Sequence, residues 1–289
     1  MLFQIRHSLD YTYDRPVFLE PHTLRLTPRQ DASQRLRRHR LEIHTPASGQ
    51  CPVQEPEGSE AVVLWFNDQR ERLRIQVESQ VETCRHNPFD WIVSTAEARR
   101  LPTVYAPALS ACLVPCLGTD QHPTVSGWAQ ALAAEVDHDS TAFLMTLADR
   151  IHHGFHHVGR LDGAPLPPEQ TLRERSGACR DTAVLFMAAC RSQGLAARFV
   201  SGYSCHHPPE VSEHELHAWA EVYLPGGGWR GYDPSLGLAV ADGHVVLAAA
   251  ADPALAAPLS GSYRGTGASS RLSYTVNLQL LDEPELENA

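Results

Sequence analysis

The hydrophobic period of the chain changes near residue 125, and that change limits the possible folds more than any other feature. Phe3, Ile5, His7, Leu9, Tyr11 and Tyr13 fall at period two, the spacing that turns one face of a β-strand onto a core. Residues 61–66 form an apolar run bounded by Gly58, Ser59, Asn67 and Asp68, and Leu73, Ile75, Val77 and Val81 alternate with polar neighbours. Together they predict an antiparallel β unit over residues 1–85. From Ser126 the spacing becomes helical. Ala129, Leu132, Ala133 and Val136 fit one helix; residues 141–151 fit a second, with Asp139 or Ser140 as its cap; residues 179–191 fit a third, stopped by Gly194. Residues 197–203, 218–224 and 229–232 then read as strands, the last two joined by Pro225 and three glycines. Helices followed by antiparallel strands make an α+β fold, not a βαβ array.

Between the two units, Pro88, Pro102, Pro107, Pro115 and Pro123 predict an irregular connector over residues 86–124 without long helices. Within it Cys112 and Cys116 read as packing residues, since Pro115 stands between them and no partner motif is present. The second unit spans residues 125–247. Beyond it, residues 248–270, rich in Ala, Gly, Ser and Pro, read as a loop. Leu272, Tyr274, Val276, Leu278 and Leu280 alternate as a final strand free to join either sheet, and the tail after Asp282 is acidic and frayed.

A formal net charge of −10 and a pI near 5.9 argue against a nucleic-acid or anionic-membrane partner, because phosphates would be repelled overall. The basic cluster Arg35, Arg37, Arg38 and Arg40 alternates with Leu36 and Leu41 and reads as a solvated sheet face. No run of about 18 uncharged apolar residues predicts a membrane span. The first residues read as a strand and not as a signal peptide. Seven scattered cysteines do not form a secreted disulfide pattern, so a reducing cytoplasm is the expected location.

Ser176-Gly177-Ala178-Cys179-Arg180-Asp181 leads into the apolar run beginning Thr182-Ala183-Val184. A cysteine in the first turn of a helix sits at the positive end of the macrodipole, which favours thiolate, and unpaired N–H groups there can donate to an oxyanion. Gly177 is expected to keep the approach to the sulfur open. His217 opens the alternating strand that follows it, and Asp233 ends the next one. An antiparallel pair joined by the glycine turn would bring those two ends together and let the carboxylate accept the imidazole N–H. A thiol, a base and an orienting acid describe acyl transfer through a covalent intermediate.

The blocks 176–181, 190–195, 197–203, 217–223 and 228–234 occur in an order that resembles the transglutaminase-like cysteine-enzyme superfamily. The first part of the chain, with Asn87-Pro88-Phe89-Asp90 and Leu101-Pro102-Thr103-Val104-Tyr105 after it, is similar to the β-rich region that precedes such cores in bacteria. The resemblance implies a papain-like α+β core after a mostly β N-terminal domain. It also implies Cys179 as nucleophile, His217 as base and Asp233 as orienter. The implied activity is hydrolysis of an amide in a peptide or protein substrate. Protein-glutamine cross-linking, or a peptide-binding module without chemistry, are the alternatives. No cofactor and no metal is implied. Arg180 departs from the glutamine expected beside the nucleophile, and the chain is rich in histidine.

Two histidine groups compete with that reading. His152, His153, His156 and His157 would pair at i, i+4 if one helix carried them, but the glutamate of a hydrolytic zinc motif is missing and Gly154 weakens the helix. They are expected to form a polar helix end over a buried Phe155. Cys205, His206, His207 and His214 precede His217 in a loop expected to overhang the cleft. That loop carries Pro208, Pro209, Glu210, Glu213 and Glu215 and is expected to shape specificity. Trp219 and Trp229 read as core or cleft-wall aromatics.

Overall fold

The alternating segments of the N-terminal unit become β1 (Leu2–Leu19), β2 (His22–Leu24), β3 (Gln34–Ile43), β4 (Gly49–Gln54), β5 (Glu60–Trp65) and β6 (Gln69–Thr83). Then come α1 (Pro107–Leu117), α2 (Pro123–Glu135), α3 (Ser140–Gly154), β7 (His156–His157), α4 (Pro168–Glu174), β8 (Ser176–Gly177) and α5 (Cys179–Ser192). The last stretch holds β9 (Ala197–Ser204), β10 (His217–Leu224), β11 (Gly228–Asp233), β12 (Leu238–Ala239), β13 (His244–Ala250), β14 (Leu259–Ser260), β15 (Tyr263–Arg264) and β16 (Ser270–Leu281). The structure is a computed structural model that describes residues 1–118, 122–160, 163–206 and 216–281. His207, Pro208, Pro209, Glu210, Glu213, His214, Glu215 and the acidic tail lie outside the described residues.

Period two in β1 places Phe3, Ile5 and Leu9 in a core with Leu73, Ile75 and Val77 of β6, because β1 and β6 pair antiparallel with Leu9 opposite Ile75 and His7 opposite Val77. The other edge of β1 takes β16, in register from Leu2 opposite Leu281 to Tyr13 opposite Ser270. Of the two sheets the final strand could join, it thus completes the N-terminal one. Arg35, Arg37, Arg38 and Arg40 are exposed on β3, as a solvated face requires.

The second large sheet runs in the order β12-β11-β10-β9-β13. All eight residues of β9 are buried because both faces are covered. On one face Ala197 and Phe199 meet the helical core of Leu147, Leu185 and Phe186, and on the other Val200 packs with Trp219, Val246 and Ala249, while Tyr203 joins Val245 and Leu247 in the N-terminal core. This is an α+β fold in which the N-terminal sheets back the sheet that α5 packs against. Asp139 caps α3 through Ala142 N–H, and Gly194 follows α5 at φ +73°, where a Cβ would sit 2.5 Å from the Thr103 carbonyl oxygen.

Three expectations change. The connector contains a helix, α1, with Pro115 inside it. Proline at that position costs the bond to Ala111 near the helix end, while Leu113 and Cys116 are buried against Tyr105 and Ala196, which offsets the lost bond. Cys116 is therefore a packing residue, but Cys112 is exposed. The expected loop over 248–270 begins late, because β13 carries Ala248, Ala249 and Ala250 in a fully buried strand. A short apolar run covered on both faces has no alternation to betray it.

Two buried polar contacts tie the units together. Glu221 of β10 accepts from Arg29 Nη2 at 2.7 Å and Nη1 at 3.1 Å, and from Arg198 Nε at 2.8 Å. Burial pushes its carboxyl up, but the two guanidinium charges outweigh this and hold it well below the usual range. Glu221→Ala leaves two nearly buried cations facing each other and is expected to cost about 3 kcal/mol of stability, read as a lower urea midpoint at unchanged slope.

His7 donates to or accepts from Tyr203 Oη at 2.9 Å, and burial pushes its imidazole down to about 4. A base depressed on folding contributes stability that is fully present above its unfolded value near 6.5 and is lost as pH falls toward 4. His7→Gln should therefore flatten the fall in unfolding free energy between those pH values by about 3 kcal/mol.

Candidate active site

Cys179 is the first residue of α5, an arrangement set by Asp181 three positions on. The Asp181 carboxylate is 0% exposed and accepts from Ala178 N–H at 2.8 Å, Leu166 N–H at 2.8 Å and Arg160 Nη2 at 2.5 Å. Its reach back to the residue before the helix supplies the cap that Ala178 cannot. Below this turn Ala183, Leu185, Phe186 and Ala189 anchor the helix in the core, so the sulfur is held on a rigid element. Gly177 has a different role from the one expected. A Cβ there would lie 2.8 Å from Asp181 Cβ and 3.3 Å from Thr171 Cγ2, so the glycine admits the capping carboxylate instead of clearing a path to the sulfur. Arg180 donates to the Arg160 carbonyl oxygen at 2.5 Å.

The three residues picked from sequence converge. The half-buried Cys179 thiol stands beside the His217 imidazole and helps it keep its proton, and His217 Nε2 lies 2.6 Å from Asp233 Oδ2. The glycine turn works as expected: β10 and β11 pair with Leu224 opposite Gly228 and Ala220 opposite Tyr232, which brings the start of one strand beside the end of the other. Burial pushes the His217 imidazole down, yet the Asp233 charge and hydrogen bond override it and hold it well above its ordinary value. Burial likewise pushes the Asp233 carboxyl up, and the His217 charge with hydrogen bonds from two histidines brings it far below the carboxylate range.

The second histidine is His244, at the start of β13, with Nε2 3.0 Å from Asp233 Oδ2. Sequence spacing gave no hint of it, because its partner strand is β9 and not β11. Ser235 was also missed: its N–H and hydroxyl donate to Asp233 Oδ1 at 3.0 and 2.6 Å, and Leu236 N–H adds a third donor at 3.3 Å. The turn after Asp233 thus doubles as a cradle for the carboxylate. Trp219 is fully buried, its ring stacked on His217 with centroids 6.1 Å apart and edge-on to His244 at 5.0 Å. Trp229 lies under the Arg198 guanidinium.

Among the described residues, His217, Asp233 and His244 offer ligand atoms within 4.8 Å of one another, and these are the groups a metal would meet. The other histidine group is dispersed. His152 bonds the Ser235 carbonyl oxygen, α3 stops at Gly154, and His156 and His157 pair with Ser176 and Gly177 in a short parallel ladder. Phe155 is half-buried against Trp128. A cavity of about 1130 Å³ opens along Val184, Met187, Ala188 and Arg191 of α5, and none of Cys179, His217 and Asp233 lines it.

Residues 128–234 match the profile of the transglutaminase-like superfamily, and residues 3–82 match that of the bacterial transglutaminase-like N-terminal region. The core of the chain, residues 128–234, is thus of the transglutaminase-like superfamily. The resemblance read from the blocks around Cys179, His217 and Asp233 thus holds for the family, and the order of a β-rich region before the core holds with it. Uncharacterised proteins of Mycobacterium leprae and Mycobacterium tuberculosis are 24% and 26% identical, over 92% and 96% of this chain and 94% and 92% of their own. A solved structure from Cytophaga hutchinsonii, described as a candidate cysteine protease, superposes with a TM-score of 0.73 at 21% identity, covering 98% of this chain and 92% of that one. At that identity the likeness speaks for the fold. No helix among the described residues is long and apolar enough to cross a membrane.

Proposed function

We propose that the protein is a cysteine peptidase or amidase in which Cys179, His217 and Asp233 form the catalytic triad. The observation that carries the reading is the unbroken chain of contacts from a helix-borne thiol through His217 to a carboxylate 0% exposed at 2.6 Å. His217 takes the thiol proton, and the sulfur attacks the carbonyl carbon of an amide to give an oxyanion. N–H groups in the first turn of α5 are suited to receive that charge. Collapse breaks the C–N bond, His217 returns its proton to the departing amine, and a thioester remains on Cys179. Water, deprotonated by His217, then releases the acid and restores the thiol. Asp233 holds the imidazole tautomer and offsets its positive charge throughout.

Hydrolysis is favoured over cross-linking because it needs no second substrate site beside the thioester. A peptide or protein bearing an exposed amide is the proposed substrate class. Scattered cysteine spacing with no secreted disulfide pattern supports a cytoplasmic location, where a catalytic thiol stays usable. The test is a peptide library incubated with and without a primary amine and scored by mass. Gain of water, unaffected by the amine, is expected. Amine incorporation would replace hydrolysis by cross-linking, and unchanged peptides would leave a binding module without chemistry.

A further inference from the structure

Asp233 Oδ2 receives two imidazoles, and only one belongs to the proposed triad. His217 Nε2 approaches at 2.6 Å and His244 Nε2 at 3.0 Å. The His244 side chain is 1% exposed and Asp233 0%, so bulk water cannot stand in for either contact. We propose that His244 is a positioning residue: donating from Nε2, it pins the Asp233 carboxylate in the orientation that receives His217. The inference rests on the reading of Cys179, His217 and Asp233 as a working triad.

An ionised carboxylate accepts at two oxygens, and its orientation is defined only if both ends are held. Here Oδ1 is held by Ser235 and Leu236, all three donors coming from the turn after β11. Among the described residues Oδ2 has only the two imidazoles, and His217 has to move its proton during the reaction. A second donor that takes no part in the proton transfer keeps Oδ2 in place while the charge on His217 rises and falls. His244 is suited to that task. It stands on β13, whose register with β9 sets His244 opposite Ser204, while β9 sets Gly202 opposite His217; the two imidazoles are thus fixed by one continuous sheet.

The groups that face His244 are Asp233 from β11, His217 and the Trp219 ring from β10, and His206 after β9. Burial pushes its imidazole down, and the attraction of Asp233 does not overcome burial together with the repulsion of His217 and His206. A charged His244 would compete with His217 for the same carboxylate oxygen. A neutral one donates without competing.

The test compares His244→Gln, which keeps a nitrogen donor at the Nε2 distance along the side chain, with His244→Met, which keeps the length and loses the donor. The readout is the pH profile of iodoacetamide alkylation at Cys179, resolved by peptide mass, with melting curves alongside. His244→Met should slow alkylation about tenfold near neutral pH, the order expected for a hydrogen bond to a charged group, and His244→Gln should stay within about threefold of the natural chain. Met as fast as the natural chain overturns the proposal. So does Gln as slow as Met when both melt normally, since that outcome assigns His244 a packing role.

Nitrogen-resolved NMR of the unaltered protein decides the matter even if the variants do not fold. A neutral Nε2–H tautomer of His244 persisting at pH 6 is expected, and an imidazolium or an Nδ1–H tautomer overturns the assignment. If Cys179 in the unaltered chain reacts no faster than an ordinary exposed thiol, the triad reading has failed first and takes the proposal with it.

Discussion

Cys179→Ala is expected to lower turnover by a factor on the order of 10⁴ or more, while the melting temperature is expected to stay within a degree or two of the natural chain. The first half follows from the covalent route, which has no substitute for the sulfur. The second follows from position. Cys179 is only half-buried at the first turn of α5, and the packing of that helix rests on Ala183, Leu185, Phe186 and Ala189, which the substitution leaves in place. Alanine also favours the helix. Intact mass after incubation with a peptide carboxamide checks the first half, since the natural chain gains the acyl group and the variant does not, and a melting curve checks the second. Substantial retained turnover would remove the thiol from the mechanism.

Asp233→Asn is expected to lower turnover by roughly 10⁴-fold, as the loss of the orienting acid does in comparable triads, and to lower stability by about 1–3 kcal/mol. A carboxamide has one acceptor oxygen where the carboxylate has two. If that oxygen faces His217 and His244, the NH₂ group meets the Ser235 and Leu236 donors; if it faces the turn, the NH₂ group meets both imidazoles. Either way donors oppose donors in a site from which water is excluded, and His217 is driven toward the wrong tautomer. Kinetics and a urea titration of the same preparation separate the effects. A variant with the stability loss but natural turnover would make Asp233 a structural residue.

The pieces of the site that were legible from sequence share a property: each sits at a marked boundary. Cys179 opens a helix, His217 opens a strand, and Asp233 closes one before a proline, so local pattern alone placed them on element ends that a glycine turn could bring together. The order of β unit, helices and second sheet was legible for the same reason, since long periodic segments dominate it. His244 was not, because its contact depends on β13 reaching the sheet through β9, a long-range pairing that leaves no spacing in the chain. Its strand, of valines, a leucine and alanines after the histidine, is covered on both faces and carries no alternation. The helix α1 was hidden by Pro115, whose local penalty is offset by burial of Leu113 and Cys116. Gly177 was read toward the substrate because the sequence does not reveal that Asp181 turns back beneath it.

The central claim is that His217, held by Asp233, activates the sulfur of Cys179. Competitive alkylation of the native protein by substoichiometric iodoacetamide near pH 6.5, with every cysteine peptide quantified by mass, tests it most directly. Cys51 and Cys112 are exposed and serve as internal references. The account predicts that Cys179 is labelled at least tenfold faster than either despite being less exposed; labelling that follows exposure, with Cys51 and Cys112 ahead, would contradict it.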